Sequence, residues 1–375
     1  MNTQKKNSLV LPFSVASVWF GAHVGGGFAT GSQEVNFFVK FGWMSIFLPA
    51  ISVIFLGLAY RESLIMARNH ETYNYRSWAI KMYEPYDKIF ATLFEMCYLV
   101  IVLLGTGGTI AGSAALMQEW GMPYVAGVVI TGAIFYILTI FGAGLIRKAS
   151  SFLTVVIFLV LTTLCIIGIS ANADNLVRIV SSHDQPVSIG KSLYMALKYA
   201  GFQSVVIAII LSASDVIKTD KEINLTIIFG VLMNGVMITL ACVMLLSWMP
   251  GSGEETLPVL YVCKQLNMPW LYNAYSIILF AAFVTTGISC VFGAVARFEN
   301  TFKKPENITM RRGIISLLAM ILSMGVSLFG LTNIVKIGYG YLGVVGIFAV
   351  IIPCIVVGKI KNKKFKEEKE KRLSA

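Results

Sequence analysis

Residues 25 to 34 read GGGFATGSQE and lie inside a strongly apolar stretch that extends from Leu9 to Phe38. A stretch of that length can cross a bilayer, for which about 20 apolar residues suffice. Each of three consecutive glycines costs roughly 1 kcal/mol in a helix interior relative to alanine, so together they favour a break. A broken helix in hydrocarbon leaves backbone groups unpaired, which is tolerated only where protein or a water-filled cavity surrounds them. The stretch therefore predicts a site inside a membrane protein.

The composition is that of a polytopic membrane protein rather than a soluble domain. Hydrophobic residues make up 57% of the 375 residues, charged residues 13%, and the mean hydropathy is +0.76. The formal net charge of +11 would suit a nucleic-acid-binding protein, but most basic residues fall in short loops between apolar segments and in the tail 359–375. We interpret these residues as determinants of membrane topology and expect no nucleic-acid partner.

Ten apolar runs of spanning length follow one another along the chain. Their approximate bounds are 9 to 38, 43 to 67, 87 to 118, 124 to 142, 149 to 170, 188 to 214, 223 to 249, 270 to 296, 311 to 330 and 333 to 358. With the N-terminus in the cytoplasm, the loops left outside hold only Lys40, Arg178 and Lys264 as basic residues. The positive-inside rule therefore predicts that both termini are cytoplasmic.

Two correspondences appear when predicted helices one to five are laid on helices six to ten. Small residues interrupt helix one at 27–30 (GFAT) and helix six at 201–204 (GFQS). A non-spanning amphipathic stretch follows helix two at 71–84 and helix seven at 254–268. Because five is odd, the two halves have opposite orientations, which is the pattern of an inverted repeat with its site between two discontinuous helices.

These observations predict an all-α integral membrane fold. Its ten transmembrane helices form a five-plus-five inverted repeat in which helices one and six are discontinuous. The first repeat covers about 9–170 and the second about 188–358 of a single transmembrane transporter domain, 1–375, and residues 359–375 form a basic cytoplasmic tail.

The glycine-rich run also carries a family resemblance. Residues 25–35, with Phe37 and Phe38, resemble the first-helix signature of the YkvI-like bacterial membrane proteins. The ten-helix layout, which covers nearly the whole chain, resembles the wider amino acid-polyamine-organocation superfamily with the LeuT-type fold. The resemblance implies a LeuT-type fold, a transport role and a location in the bacterial cytoplasmic membrane.

The two interruptions supply most of the candidate substrate ligands. Free amides of the helix-one glycines, with the following half-helix, would present partial positive charge to an anion such as a carboxylate. The alternative is that these glycines only allow close helix packing. The resemblance implies that Phe202 packs over the substrate as a gate and that Gln203 hydrogen-bonds it. The predicted substrate-binding residues are Gly25, Gly26, Gly27, Phe28, Thr106, Tyr199, Gly201, Phe202 and Gln203.

A cation site is predicted beside the first interruption. In helix eight, Ala282, Thr285 and Thr286 fall at i, i+3 and i+4, so one carbonyl and two hydroxyls share a face. Oxygen ligands of this kind suit a small hard cation. The resemblance to sodium-coupled LeuT-type transporters implies backbone carbonyls of Gly21 and Val24 as the remaining ligands. The alternative is that the threonine hydroxyls bond back to their own helix. Apart from Na⁺ or a proton as coupling ion, no cofactor is expected.

Ionisable residues within the apolar runs are functional candidates because buried charge is costly in a membrane. Glu34 could be a proton carrier, a cation partner or a gate residue, and Lys198 could pair with it or contact the substrate. His23 could titrate near neutral pH or be a hydrogen-bonded structural residue. We predict a coupling or gating role for His23, Glu34 and Lys198, whereas Glu95 and Lys336 lie nearer helix ends, where snorkelling is the alternative.

The sequence favours a secondary active transporter that moves an amino acid or related small organic solute by alternating access. The alternative is a membrane receptor or sensor subunit with the same fold but no transport, like the germinant-receptor subunits of this superfamily. We find no Ser-His-Asp, Cys-His, paired-carboxylate or metal-ligand spacing within the helices, so we expect no enzymatic activity. The expected partners are a small-molecule substrate and the lipid bilayer.

Overall fold

Helices account for nearly all of the computed structural model, which describes residues 2–141, 143–299, 301 and 304–374 and has no strand among them. The helices of the first half are α1 (Asn2–His23), α2 (Gly26–Ala29), α3 (Ser32–Phe37), α4 (Leu48–His70), α5 (Tyr75–Tyr83), α6 (Asp87–Glu119), α7 (Tyr124–Phe141), α8 (Ala143–Ala171) and α9 (Ala173–Ser181). The second half contains α10 (Ile189–Ser204), α11 (Ile207–Ser212), α12 (Asp220–Ser247), α13 (Gly251–Glu254), α14 (Pro258–Gln265), α15 (Pro269–Phe298), α16 (Ile308–Ser327), α17 (Leu331–Asn333), α18 (Gly340–Gly346) and α19 (Lys359–Ser374). Turns of π-helix join α17, α18 and α19 into one long helix.

The helices have the length and composition of membrane spans. Among the described residues, seven are long and apolar enough to cross a bilayer, and an eighth is formed if Val155–Ala171 and Ala173–Ser181, which bend by 74°, make one span. Two shorter apolar helices, Leu9–His23 and Tyr124–Thr139, accompany them. The expectation of an all-helical protein with several membrane spans is therefore confirmed.

Most helices begin and end within a few residues of the predicted bounds, and the second span begins five residues later than predicted. The apolar run begins at residue 43, but α4 begins at Leu48. The intervening 3-10 segment Val39–Ile46 contains Gly42 at a φ of 74°, which favours glycine, and Pro49 then occupies the first turn of α4. Helix formation is therefore delayed by local backbone chemistry rather than by loss of apolar character.

Helix boundaries fall at both places where small residues break an apolar run, and we call these two places the interruptions. α1 ends at His23 and α2 begins at Gly26, and Gly31, at a φ of 81°, separates α2 from α3. In the second half, α10 ends at Ser204 and α11 begins at Ile207. Gly31 makes the backbone irregular at the first of them. At the second, Val205 and Val206 keep right-handed helical φ and ψ, and Ile189–Ser212 has the length and composition of one span.

Glycines bring the backbones of α10 and α18 into direct contact. A Cβ atom built on Gly201 would lie 2.0 Å from the carbonyl oxygen of Gly343, and one built on Gly346 would lie 2.0 Å from the carbonyl oxygen of Gly201. Small residues are commonly used for such close approach between membrane helices. Close packing of these two helices therefore explains why position 201 is a glycine.

The tail predicted at 359–375 is helical over Lys359–Ser374 and packs against α5. The ammonium group of Lys361 donates hydrogen bonds to the carbonyls of Lys81, Met82 and Glu84, at 2.7, 3.0 and 2.8 Å. A cation at the C-terminal end of a helix pairs the carbonyls that have no partner within that helix. The C-terminal helix therefore fixes the end of α5.

We expect Gly201→Ala to lower the free energy of unfolding by about 3 kcal/mol, because the atoms that oppose the new methyl group are backbone and cannot rotate away. Chemical unfolding in detergent measures the loss. Gly235→Ala in α12 is the matched control, since a Cβ there would meet no described atom outside its own helix within 4 Å. Equal effects of the two substitutions would show that the contact of α10 with α18 is not tight.

Candidate functional site

A cavity of about 1820 Å³ lies between the two interruptions. Both interruptions contribute to its inner wall, and most of the remaining wall comes from α1, α6, α8, α11 and α15, with smaller contributions from α5, α7, α12 and α16. The residues of the interruptions that line it are Val24, Gly25, Gly27, Phe28, Phe202, Gln203, Val205 and Val206. The structure thus brings the two predicted breaks together around one space, although they are far apart in the sequence.

One end of the cavity reaches the protein surface beside α5 and the segment that joins α15 to α16. Arg76 and Arg312 line this mouth, and their side chains are 61% and 53% exposed. Glu95 accepts a hydrogen bond from Arg297, which also lines the cavity, and lies 3.7 Å from Arg76. Glu95 is therefore held in an ion-pair cluster at the mouth instead of snorkelling alone.

Five aromatic side chains close the opposite end of the cavity. This aromatic cluster consists of Phe37, Phe38, Tyr199, Phe202 and Tyr339, all of which are buried. The ring of Phe202 stacks on that of Tyr339, with centroids 4.7 Å apart and an interplanar angle of 2°. The ring of Phe37 also stacks on that of Phe202, with centroids 5.6 Å apart. Because Phe202 and Tyr339 line the cavity, the cluster forms its inner boundary.

Tyrosine hydroxyls pair backbone carbonyls at the interruptions. Tyr60 of α4 donates to the carbonyl of Gln203 at 2.7 Å, and Tyr275 of α15 donates to the carbonyl of Ala29. Thr30 donates to the carbonyl of Gly27 at 2.8 Å. Irregular backbone at membrane depth needs such partners, because no water is available in hydrocarbon. These side chains therefore stabilise the broken segments.

A hydrogen-bonded group joins the two interruptions beside the cavity. The Nε2 atom of His23 lies 2.8 Å from the hydroxyl of Tyr199, to which Gln203 donates at 3.4 Å. His23 and Gln203 line the cavity, whereas Tyr199 lies behind them. His23 thus has a partner in the protein, and Tyr199 positions two lining side chains.

The predicted cation ligands Gly21, Val24, Ala282, Thr285 and Thr286 all line the cavity. A Cβ atom built on Gly25 would lie 3.2 Å from the hydroxyl oxygen of Thr286, so α15 touches the first interruption at this point. No backbone amide among the described residues donates to the carbonyl oxygen of Gly21 or Val24. The hydroxyl of Thr285 lies 3.1 and 3.2 Å from the carbonyls of Ala281 and Ala282, which is the alternative that the sequence left open.

The glycines of the first interruption have different surroundings. Gly25 is the residue before α2 and Gly26 begins that helix, whose first amides have no acceptor within it. Gly27 lies against Gln33, because a Cβ atom there would be only 2.4 Å from Nε2 of that side chain. Gly25 and Gly27, with Phe28, face the cavity.

Five residues predicted for the site lie outside the cavity lining, namely Thr106, Tyr199, Gly201, Glu34 and Lys198. Thr106 donates back to the carbonyl of Val102 at 2.9 Å, and Gly201 faces α18. The ammonium group of Lys198 lies 5.7 Å from the ring centroid of Tyr194 and makes no ion pair with Glu34. Glu34 is wholly buried in α3.

Sequence reasoning missed several residues that shape the site. Tyr60, Tyr275 and Tyr339 were not singled out, and each is buried. A buried tyrosine hydroxyl usually has a hydrogen-bond partner, so tyrosines within apolar runs were the available signal. That signal marks residues that pair buried backbone, but it does not say which backbone.

Comparison with known proteins agrees with this architecture. No family model matches the chain. It is 26% identical over 289 residues to the uncharacterized membrane protein YkvI of Bacillus subtilis, covering 74% of this chain and 78% of that protein.

Solved structures support the same fold. MhsT in complex with L-phenylalanine superimposes with a TM-score of 0.64 at 14% identity, covering 95% of this chain and 97% of that one. The inward-facing conformation of Mhp1 gives a TM-score of 0.53 at 15% identity, over 94% and 91% of the two chains. The manganese transporter of Eremococcus coleocola gives 0.59 at 16% identity, over 93% and 79%. The resemblance to YkvI and to the LeuT-type fold is thereby confirmed.

We expect Tyr60→Phe and Tyr275→Phe each to lower the free energy of unfolding by about 1 kcal/mol, because each removes a hydrogen bond to a buried carbonyl. The carbonyl of Gln203 keeps the backbone amide of Val206 as a donor, whereas that of Ala29 has no backbone donor among the described residues. Unfolding of the purified variants in detergent measures the change. Tyr341→Phe is the control, since Tyr341 is 73% exposed. Stabilities that match the control would mean that water in the cavity already pairs these carbonyls.

Proposed function

We propose that this protein is a secondary active transporter that carries a small organic solute by alternating access. The observation that carries the proposal is a cavity between two helix interruptions that is open at one end and closed by the aromatic cluster at the other. Interrupted helices around a central site are typical of transporters that expose a site to one side of the membrane at a time. The fold shared with MhsT and Mhp1 supports this assignment.

The proposed membrane arrangement has ten crossings. The chain from α1 to α3 is the first crossing and α10 with α11 is the sixth, so each interrupted span counts once. Eight of the ten crossings are the spans described above, and the two shorter apolar helices supply the other two. We divide them into inverted repeats at about 9–170 and 188–358, within one transporter domain.

The conformation is inward-facing in this arrangement. The mouth of the cavity is lined by Arg76, Arg297 and Arg312, which belong to segments that the positive-inside rule assigns to the cytoplasm. With this orientation both termini are cytoplasmic. The aromatic cluster then closes the extracellular side.

The proposed solute is an amino acid or a related carboxylate. The first amides of α2 and the glycine backbone at Gly25 and Gly27 offer donors to an anionic group. Phe28 and Phe202 supply apolar surface, and Gln203 supplies a polar side chain. In this account Tyr199 orients Gln203, Gly201 lets α10 approach α18, and Thr106 supports the wall from behind.

Sodium is the proposed coupling ion. Two carbonyl oxygens, from Gly21 and Val24, lack a backbone donor among the described residues and lie on the same cavity as Thr285 and Thr286. Carbonyl and hydroxyl oxygens are ligands for hard cations. The contact of Thr286 with Gly25 would let bound Na⁺ hold α15 against the first interruption.

Purified protein in liposomes is expected to take up labelled amino acids faster with an inward Na⁺ gradient than with equal Na⁺ on both sides. The double variant Thr285→Ala/Thr286→Ala is expected to lose this dependence, because it removes both hydroxyls from the proposed site. Thr162→Ala/Thr163→Ala is a matched control. These adjacent threonines of α8 also bond back to their own helix, and neither lines the cavity.

Uptake that is equally fast without Na⁺ would contradict the sodium site while leaving transport intact. Amino-acid binding without any flux would contradict transport and favour a receptor or sensor with this fold. A thermal-shift screen of amino acids and small amines identifies the solute to use, since a ligand stabilises the protein in proportion to its occupancy.

A further inference from the structure

Glu34 is the most deeply buried acid of the described chain. Its exposed fraction is 0%, and it lies in α3, where all six residues are buried. Neither carboxyl oxygen has a hydrogen-bond partner among the described residues. The transport mechanism proposed above does not use this group, since it does not line the cavity.

The surroundings of Glu34 contain no positive charge within ion-pair distance. The side chains near it include two thiols and two phenols from four different helices, which are uncharged at neutral pH: Cys165, Cys242, Tyr199 and Tyr275. No lysine on the segments packed around α3 forms an ion pair with Glu34. The charged residues of these segments are Lys40, Lys191, Lys198, Asp220, Lys221, Glu222, Glu254 and Lys336. Among the described residues, no basic side chain therefore neutralises a charge on Glu34.

An isolated carboxylate cannot remain ionised at low cost in such a place. Transfer of an unpaired charge into an apolar interior is far more costly than transfer of a neutral polar group, so the buried group takes up a proton instead. The neighbouring side chains do not form a metal site with it. Ser32 and Gln33 also have unpartnered oxygens, but consecutive residues of a helix point in different directions and do not converge on one ion.

Glu34 lies directly behind the aromatic cluster. Phe37, three residues later on the same face of α3, stacks on Phe202, and Tyr199 contacts Phe37 at 5.5 Å between ring centroids. Separation of these rings is the step by which the closed end would open. The same separation would bring water to Glu34.

We propose that Glu34 is a proton-binding site and that the aromatic cluster closes over it only when its carboxyl group is protonated. This inference rests on the proposed alternating access. In the open state the carboxylate takes a proton from hydronium on that side: one O–H bond of the hydronium ion breaks as the carboxyl O–H bond forms, and water is released. The uncharged group can then be buried. Acid on that side therefore favours the inward-facing state, and alkali favours an open cluster.

A cysteine reporter in the cavity tests this coupling without any solute. Ser289 lines the cavity and is exposed, so Ser289→Cys in a Cys290→Ala background places one reactive thiol there. The other cysteines of the chain are buried. A membrane-impermeant thiol reagent is applied to the mouth side of vesicles, with both compartments held at one pH by a protonophore. Labelling then reports how much protein is inward-facing.

The reporter rate is compared with the rate in a Glu34→Gln background at each pH, which cancels the pH dependence of the reagent. We expect the ratio to fall roughly tenfold from acidic to alkaline pH, because glutamine has the volume of glutamate but cannot ionise. Glu119→Gln, at the end of α6 on the side of the aromatic cluster, is the matched control. It should show the same pH dependence of labelling as the reporter protein with native Glu34. A flat ratio would overturn the proposal.

Infrared spectroscopy of the protein with native Glu34 provides a second measurement that does not depend on folding of the variant. A protonated carboxyl group in an apolar site gives a C=O stretching band, which we expect at neutral pH in protein labelled with isotopic glutamate. Absence of any such band would contradict the proposal. Because neither measurement requires solute, failure of transport and failure of this proton site are separate results.

Discussion

Pairing of the backbone inside hydrocarbon is the constraint on which this structure depends. Two spans contain a helix boundary, and lipid cannot pair a backbone group that loses its helical partner at such a boundary. Tyr60 and Tyr275 donate to carbonyls at the two places, and the cavity borders the remaining irregular backbone. The backbone groups whose burial without a partner would be destabilising are then available to a polar solute or an ion. Stability and binding therefore arise from one structural problem.

The asymmetry of the cavity follows from the way the interruptions are packed. Glycine contacts between α10 and α18 hold the second interruption close to its neighbour, and the ring stack of Phe202 on Tyr339 closes the space beyond it. At the other end, Arg76 and Arg297 share Glu95 beside an open mouth. Rotation or tilting of a few half-helices could exchange the closed and open ends, because aromatic stacking and ion pairs are contacts that can form and separate as units.

The sequence predicted the features that depend on local chemistry. Glycine runs and hydropathy predicted helix boundaries near residues 25 and 201, within a few residues of those observed, and most other helix bounds. Both signals depend on the residues of a single segment. Residues whose role depends on distant partners were harder. Gly201 has the same local pattern whether it binds solute or packs on Gly343, and periodicity in an all-apolar helix does not reveal which face turns inward. The sequence therefore did not predict roles for Tyr60 and Tyr339.

A cryo-electron microscopy map of the solute-loaded protein tests the central claim most directly. The solute is the amino acid or amine that gives the largest stabilisation in a thermal-shift screen. We predict density in the cavity that touches both interruptions, with its carboxylate beside Gly25 and Gly27 and its side chain against Phe202. Density at any other place, or contact with only one interruption, would contradict the account.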